Sequence, residues 1–132
     1  KNLALACAEF GLGLGLGSCR PLLFSDDTLS DYAVRPILGE GVPFYANLGI
    51  AQIEKLWLQK ELFRIPALIE KLKADGLIIH INPLQEWLQP EGDRFTYPPI
   101  FIIQELIRHY PEISLIVKEV GQGMGPQSLK NC

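Results

Sequence analysis

The sequence has 132 residues, of which 48% are hydrophobic, and it carries a formal net charge of −3. This charge argues against nucleic acid as the partner, because no basic face is available to neutralise a phosphate backbone. A small phosphorylated ligand stays compatible with it, since one or two cations can hold such a ligand. No apolar run approaches the ~20 residues that a membrane-spanning helix needs, and no signal-peptide pattern opens the chain. We therefore expect one domain, or part of one, in a cytoplasmic protein that does not bind membranes.

The cysteines and the two ends of the sequence carry further information. Cys7, Cys19 and Cys132 are odd in number and widely separated, which is typical of reduced thiols. Lys1 stands where the pattern already predicts a helix, the only methionine is Met124, and the last residues follow the start of another predicted helix. We expect from this that the sequence is an internal piece of a longer protein.

The predicted elements alternate between strands and helices along the chain. Residues 2–10 are rich in alanine and leucine and predict a helix, and the glycine–leucine alternation of residues 11–17 predicts a strand packed closely against its neighbours. A nucleotide-binding loop is excluded there, because Leu16 occupies the position of the third glycine in G-x-G-x-x-G. The remaining predictions are helices at 29–34, 52–60, 66–73 and 100–109, and strands at 42–46, 77–81 and 115–117. Such alternation predicts an α/β fold with a parallel sheet.

Polar residues follow each predicted strand. In a (β/α)8 barrel the active site is built at the carboxyl ends of consecutive strands, so this recurrence favours a barrel over a generic parallel sheet. The residues concerned are Ser18, Cys19 and Arg20 after the first strand, Asn47 after the second, His80, Asn82, Gln85 and Glu86 around the end of the third, and Lys118 and Glu119 after the fourth.

Each of these residues has a functional and a structural interpretation. His80 and Asn82 share one face of a strand, where they can hold a diphosphate, and Glu86 can hold Mg²⁺, which usually takes one or two carboxylates. A buried structural histidine and a solvated helix-start carboxylate are the alternatives. Lys118 can stabilise a reduced flavin or can simply extend from a strand end. Arg20 can bind phosphate or be solvated.

Residues 91–94 present the same choice. The run Glu91-Gly92-Asp93-Arg94 can form a substrate loop or a turn whose own charges pair with each other. The residues alone favour the self-paired turn.

Two long motifs resemble the type 2 isopentenyl-diphosphate isomerases. They are His80-Ile81-Asn82-Pro83-Leu84-Gln85-Glu86, followed by Gln89-Pro90-Glu91-Gly92-Asp93-Arg94-Phe95, and Val117-Lys118-Glu119-Val120-Gly121 with Gly123-Met124. Gly17-Ser18 with Arg20, and Ala46-Asn47-Leu48-Gly49, fall in the order and spacing of that family. The resemblance covers nearly the whole chain.

The resemblance implies that residues 1–132 are part of a single FMN-binding (β/α)8 barrel domain, a partial TIM barrel covering roughly the second to fifth βα units. It implies interconversion of isopentenyl and dimethylallyl diphosphates with reduced FMN and Mg²⁺, with NADPH as the usual reductant. It also implies a small-molecule diphosphate as the substrate and a homo-oligomer for the full-length protein.

The same resemblance implies roles for individual residues. FMN contacts are implied for Ser18, Asn47 and Lys118, substrate contacts for Ser18, Arg20, His80, Asn82 and Gln85, a catalytic part for Gln85 and Mg²⁺ ligation for Glu86. The family often has glutamine where this chain has Cys19, which affects only the local diphosphate contacts.

Two other functions compete with this interpretation. One is a different FMN-dependent barrel of the 2-hydroxy-acid oxidase or dihydroorotate dehydrogenase type, against which the motif at residues 80–86 argues. The other is a non-catalytic half-barrel module. Because a closed barrel needs all eight strands, we expect this chain alone neither to bind FMN tightly nor to catalyse turnover.

Overall fold

The computed structural model describes residues 1–131. The helices are α1 (Asn2–Phe10), α2 (Leu29–Tyr32), α3 (Arg35–Leu38), α4 (Ile50–Leu58), α5 (Arg64–Leu72), α6 (Pro83–Leu88), α7 (Pro99–His109) and α8 (Pro126–Asn131), with a 3-10 turn at Arg20–Leu23. The strands are β1 (Leu14–Gly15), β2 (Phe44–Gly49), β3 (Gly76–Ile81) and β4 (Ser114–Glu119). Within this described range no helix is both long and apolar enough to cross a bilayer.

The four strands form one parallel sheet in the order β1-β2-β3-β4. Spatial order follows chain order without a reversal, and helices make every crossover. A doubly wound sheet reverses its strand order at a switch point, whereas a barrel adds each new strand beside the last. The sheet is therefore a half-barrel, and the predicted α/β fold with part of a TIM barrel is confirmed.

The two faces of the sheet differ in composition because strand side chains alternate. The helix-facing side carries the core, whose fully buried strand residues are Phe44, Ala46, Leu48, Leu77 and Ile79. Helices α4, α5 and α7 cover it with apolar side chains such as Ile53, Ile65 and Ile102. The opposite face, called the inner face here, carries Gly15, Tyr45, Asn47, Gly49, Gly76, Ile78, His80, Ser114, Ile116 and Lys118, which are paired in register.

Glycine on the inner face leaves room for larger neighbours. A Cβ at Gly15 would lie 2.5 Å from the Cδ1 atom of Ile78, and one at Gly49 would lie 2.8 Å from the Nε2 atom of His80. The side chain of Ile78 on β3 therefore lies over Gly15 of β1, two strands away, and the ring of His80 lies over Gly49 of the neighbouring β2. This agrees with the prediction drawn from the glycine–leucine alternation, although the strand itself is limited to Leu14–Gly15.

A buried arginine ties together the amino-terminal edge of the sheet. Arg35 is 3% exposed and donates to the carbonyl oxygens of Lys73, Gly39 and Val42, while its guanidinium lies over the Phe44 ring. It also forms an ion pair with Asp75 at 2.9 Å. Burial raises the pKa of the Asp75 carboxyl, but the bonds from Arg35 and from the Phe44 amide outweigh burial and lower that pKa below its ordinary value. Arg35 thus satisfies several polar groups at the amino-terminal ends of the strands, opposite the carboxyl ends.

Several predicted boundaries are corrected by the structure. Asn47 and Lys118 lie inside their strands and do not follow them, whereas His80 lies inside β3 in agreement with the strand predicted at 77–81. The helix predicted at residues 29–34 ends at Tyr32, and the strand predicted at 42–46 begins at Phe44. Cys7 and Cys19 are free and buried, in agreement with reduced thiols, whereas Cys132 lies outside the described residues.

Candidate functional site

The inner face and the carboxyl edge of the sheet bring the predicted site residues together. Strand pairing aligns His80 with Gly49 on one side and with Lys118 on the other. The first turn of α6 follows β3 directly and carries the amide and carboxylate side chains of the 80–86 motif. Ser18 and Arg20 reach the same edge from the segment after β1, where the Cys19 amide donates to the Asn47 carbonyl oxygen at 2.7 Å.

His80 and Asn47 form a side-chain pair on the inner face. The Nδ1 atom of His80 lies 2.7 Å from the Oδ1 atom of Asn47, which is 6% exposed. With this oxygen as acceptor, the imidazole proton lies on Nδ1 and Nε2 keeps its lone pair. Burial lowers the pKa of His80, the nearby charge of Lys118 lowers it further, and the charge of Glu86 opposes both. His80 is therefore a neutral imidazole at pH 7, held by its neighbour in one tautomer.

Asn82 positions the amide and carboxylate of α6. It is 6% exposed, and its Nδ2 atom donates to Oε1 of Glu86 at 2.9 Å and to Oε1 of Gln85 at 3.4 Å. Pro83 starts the helix with its backbone dihedral already set, so Gln85 and Glu86 fall in the first turn. Gln85 is exposed and Glu86 is half-buried. A ligand approaching this edge meets both side chains.

Asp93 links the two halves of the edge. Its Oδ2 atom accepts from Nη1 of Arg20 and from Nε2 of Gln52, both at 2.7 Å, and its backbone amide donates to Oε2 of Glu86 at 2.7 Å. The self-paired turn favoured for residues 91–94 is therefore wrong, because Asp93 pairs with Arg20 and not with its neighbour Arg94. An acid from this loop instead connects the arginine after β1 to the carboxylate of α6.

Gln52 and Glu54 were missed by the sequence reasoning. Gln52 is the third residue of α4, and its Oε1 atom accepts from the Gly49 amide at 2.9 Å in a capping arrangement. Glu54 is 3% exposed, and its two oxygens accept the amides of Thr96 and Tyr97 at 2.7 and 3.2 Å. The glutamine three residues after Gly49 was a signal for the first. A charged residue among buried apolar ones was a signal for the second.

Ser18, Lys118 and Cys19 do not take part in the hydrogen bonds that join Arg20, Asp93 and Glu86. Ser18 is exposed, and its Oγ atom accepts the Arg20 amide at 3.4 Å. Lys118 is exposed, and its Nζ atom donates to the Glu119 carbonyl oxygen at 3.4 Å. Cys19 is fully buried, and burial raises the pKa of its thiol although a backbone contact with Asn47 lowers it. Its side chain faces the core, so it offers no group to a ligand at the edge.

The polar side chains of the carboxyl edge suit a diphosphate with one bound cation, and the inner face suits a flat ring. Among residues 1–131 no group of three or more acidic, histidine or cysteine side chains could hold a metal ion. Glu86 alone is compatible with Mg²⁺, which takes one or two carboxylates and completes its shell with water and phosphate oxygens. On the inner face, Asn47 and Lys118 flank Ile78 and Ile116, and Ile116 is 41% exposed. An apolar surface beside an amide and an ammonium fits the ring system of a flavin.

Comparison with known proteins points to one enzyme family. Isopentenyl-diphosphate delta-isomerase of Rickettsia felis is 41% identical over 123 residues, which are 93% of this chain and 34% of that protein. The enzymes of the same name from Rickettsia rickettsii and Rickettsia typhi are 42% identical over 123 residues and 39% identical over 129 residues. No protein-family profile matches the chain. The chain spans about a third of the length of these relatives, and over nearly all of its own length it is homologous to the isopentenyl-diphosphate delta-isomerases.

Proposed function

We propose that residues 1–132 belong to a single FMN-binding (β/α)8 barrel domain and supply part of the active site of an isopentenyl-diphosphate isomerase. The observation that carries the proposal is the connected set Arg20, Asp93, Glu86 and Asn82 at the carboxyl edge. In this set a cation, two carboxylates and an amide lie at the carboxyl edge, the region in which barrel enzymes bind their substrates. The names of the homologous Rickettsia proteins supply the reaction.

The diphosphate end of the substrate is assigned to the residues of this edge. Arg20 offers a planar guanidinium, which suits phosphate oxygens through paired hydrogen bonds. Ser18 adds a hydroxyl beside it. Glu86 would hold Mg²⁺ through one carboxylate oxygen, and Asn82 keeps that carboxylate oriented by donating to its other oxygen. These residues bind and orient the substrate, and the carbon chain then extends over the inner face.

The reacting carbons are assigned to the inner face and to Gln85. Reduced FMN, when bound, supplies the proton transfer that moves the double bond. Asn47 and Lys118 would contact the flavin, and the Lys118 ammonium would stabilise negative charge on the reduced ring. The pKa of His80 is lowered and Asn47 fixes its tautomer, so that its Nε2 atom would keep a lone pair for the substrate. The exposed amide of Gln85 would contact the substrate and take part in catalysis. NADPH as the reductant, a homo-oligomer and a cytoplasmic location complete the proposal.

The test is an anaerobic assay on the product of the complete reading frame that encodes this chain. Isopentenyl diphosphate is supplied with FMN, NADPH and Mg²⁺, and dimethylallyl diphosphate is followed by NMR. We expect product only with reduced flavin, and we expect Glu86→Gln to lower turnover at least about a hundredfold, the upper end of effects seen for ligand-shell changes. Glu70→Gln is the matched control, because Glu70 is exposed on α5, away from the edge.

The contradicting result is a folded protein that binds FMN and makes no dimethylallyl diphosphate. Net reduction of the flavin by a 2-hydroxy acid or by dihydroorotate would then identify an oxidoreductase on the same scaffold.

A further inference from the structure

We propose that the cavity between the 3-10 turn and α4 is an anion site which Asp93 occupies from within the chain, and that a diphosphate displaces the Asp93 carboxylate from it. The cavity is lined by apolar side chains together with Arg20, Gln52, Lys55 and Asp93. This inference deepens the proposed function and rests on it for the identity of the natural ligand. Its structural basis, however, is independent of any isomerase activity.

The donors of this cavity are oriented before any ligand arrives. Gln52 is 8% exposed, and its Oε1 atom is fixed by the Gly49 amide at 2.9 Å. The other end of the side-chain amide must therefore be the NH₂ group, and it faces the Asp93 carboxylate at 2.7 Å. Arg20 donates to the same carboxylate oxygen from the opposite element. Two donors from separate elements converge on one oxygen atom, and a phosphate oxygen can take that position.

The charges of the cavity favour a ligand with more negative charge than one carboxylate. Arg20 and Lys55 supply two cations, and within residues 1–131 Lys55 has no ion-pair partner. Asp93 therefore neutralises only one of the two positive charges. A diphosphate carries at least two negative charges at neutral pH and has several acceptor oxygens, so it can engage Arg20, Lys55 and the Gln52 amide together.

Asp93 is held weakly enough to leave. The side chains of Arg20 and Asp93 are 55% and 31% exposed, and ion pairs with this access to water contribute little to stability. The rest of the loop has its own anchor, because Glu54 binds the amides of Thr96 and Tyr97. Tyr97 also stacks on Phe101. The Asp93 side chain can therefore move out while the loop stays attached to α4.

Displacement of Asp93 also changes the surroundings of Glu86. The backbone amide of Asp93 donates to Oε2 of Glu86 at 2.7 Å. When Asp93 moves outward with its backbone, this oxygen loses a hydrogen bond and becomes available to a cation. Anion entry at Arg20 is in this way linked, through Asp93, to exposure of the Glu86 carboxylate at the same edge.

The test is titration of inorganic diphosphate into the product of the complete reading frame by isothermal titration calorimetry. EDTA is present to exclude divalent cations. Asp93→Asn preserves the shape of the side chain and removes its charge. We expect this variant to bind diphosphate about 3- to 10-fold more tightly than the unchanged chain, because a competing anion in a water-accessible ion pair is removed. Glu91→Gln is the matched control, since Glu91 lies two residues away on the same loop and is exposed. It should change the affinity less than twofold, whereas Arg20→Gln should weaken binding in either background.

Three results would overturn the proposal. They are an Asp93→Asn affinity equal to or weaker than that of the unchanged chain, an equal gain in Glu91→Gln, and no diphosphate binding by any variant at millimolar concentration. The outcome is separable from the isomerase assay. Tighter binding by Asp93→Asn in a protein without isomerase activity would support the anion site and contradict the proposed reaction. Isomerase activity without the gain in affinity would contradict only the displacement of Asp93.

Discussion

Glu54 holds the loop that carries Asp93, and its removal should release that loop while the sheet stays intact. The Glu54 carboxylate is 3% exposed and accepts two backbone amides at 2.7 and 3.2 Å. Hydrogen bonds to a charged acceptor contribute about 1.5–3 kcal/mol each. Glu54→Gln keeps one acceptor oxygen and places an NH₂ group against the other amide, so one bond is lost and the second loses its charge. We expect the loop to lose about 2–3 kcal/mol of stability against local opening.

Amide hydrogen exchange measures this opening residue by residue. A loss of about 2 kcal/mol corresponds to roughly 30-fold faster exchange at the amides of Thr96 and Tyr97, at 1.4 kcal/mol per factor of ten. The amides of β2 and β3 should change far less, and Glu70→Gln should change neither set. Unaltered exchange at Thr96 and Tyr97 would refute the assignment of Glu54 as the anchor. Equal acceleration across the sheet would show a role in global stability instead.

Three further predictions concern the scaffold, the histidine and the cofactor. Arg35→Met removes the donor of three carbonyl oxygens and the ion-pair partner of Asp75, so we expect the free energy of unfolding in urea to fall by about 3 kcal/mol; a loss below about 1 kcal/mol would contradict that role. The pKa of His80, followed by NMR titration, should lie below 6.5, should rise in Lys118→Met and should fall in Glu86→Gln, and the reverse order would show that these charges do not act on the ring. Because folding lowers this pKa, the contribution of His80 to stability is full above pH 6.5 and is lost as the pH falls from 6.5 towards the folded value. Finally, β1 and β4 each pair with a single strand in the described chain, so the purified 132-residue chain should not bind FMN stoichiometrically in a fluorescence titration, and tight one-to-one binding would refute this.

The sequence was sufficient to predict the parallel sheet and most of the polar residues at its carboxyl edge. Alternation of strands and helices predicted parallel pairing, and polar residues near the strand ends predicted where the candidate site lies. The error in placing Asn47 and Lys118 after their strands has a physical cause. These residues occupy alternate positions on the inner face, so a polar side chain there interrupts the apolar run without ending the strand.

The loop contacts could not be predicted from the sequence. Asp93 and Arg20 are 73 residues apart, and their pairing depends on how the α6–α7 connection lies across the edge. The residues of 91–94 alone favoured pairing among their own charges. Similarly, the carboxylate of Glu54 reaches amides more than 40 residues away, a contact that no local pattern records.

We propose that the carboxyl edge of this sheet forms part of the active site of an isopentenyl-diphosphate isomerase, and this proposal is the central one. The most direct test replaces the matching 123-residue segment of the Rickettsia felis relative with the aligned part of this chain, and measures anaerobic formation of dimethylallyl diphosphate. Our account predicts that the hybrid barrel binds FMN and is active, and that Glu86→Gln within the transplanted segment abolishes most of the activity. A hybrid that folds and binds FMN but forms no product would contradict the account.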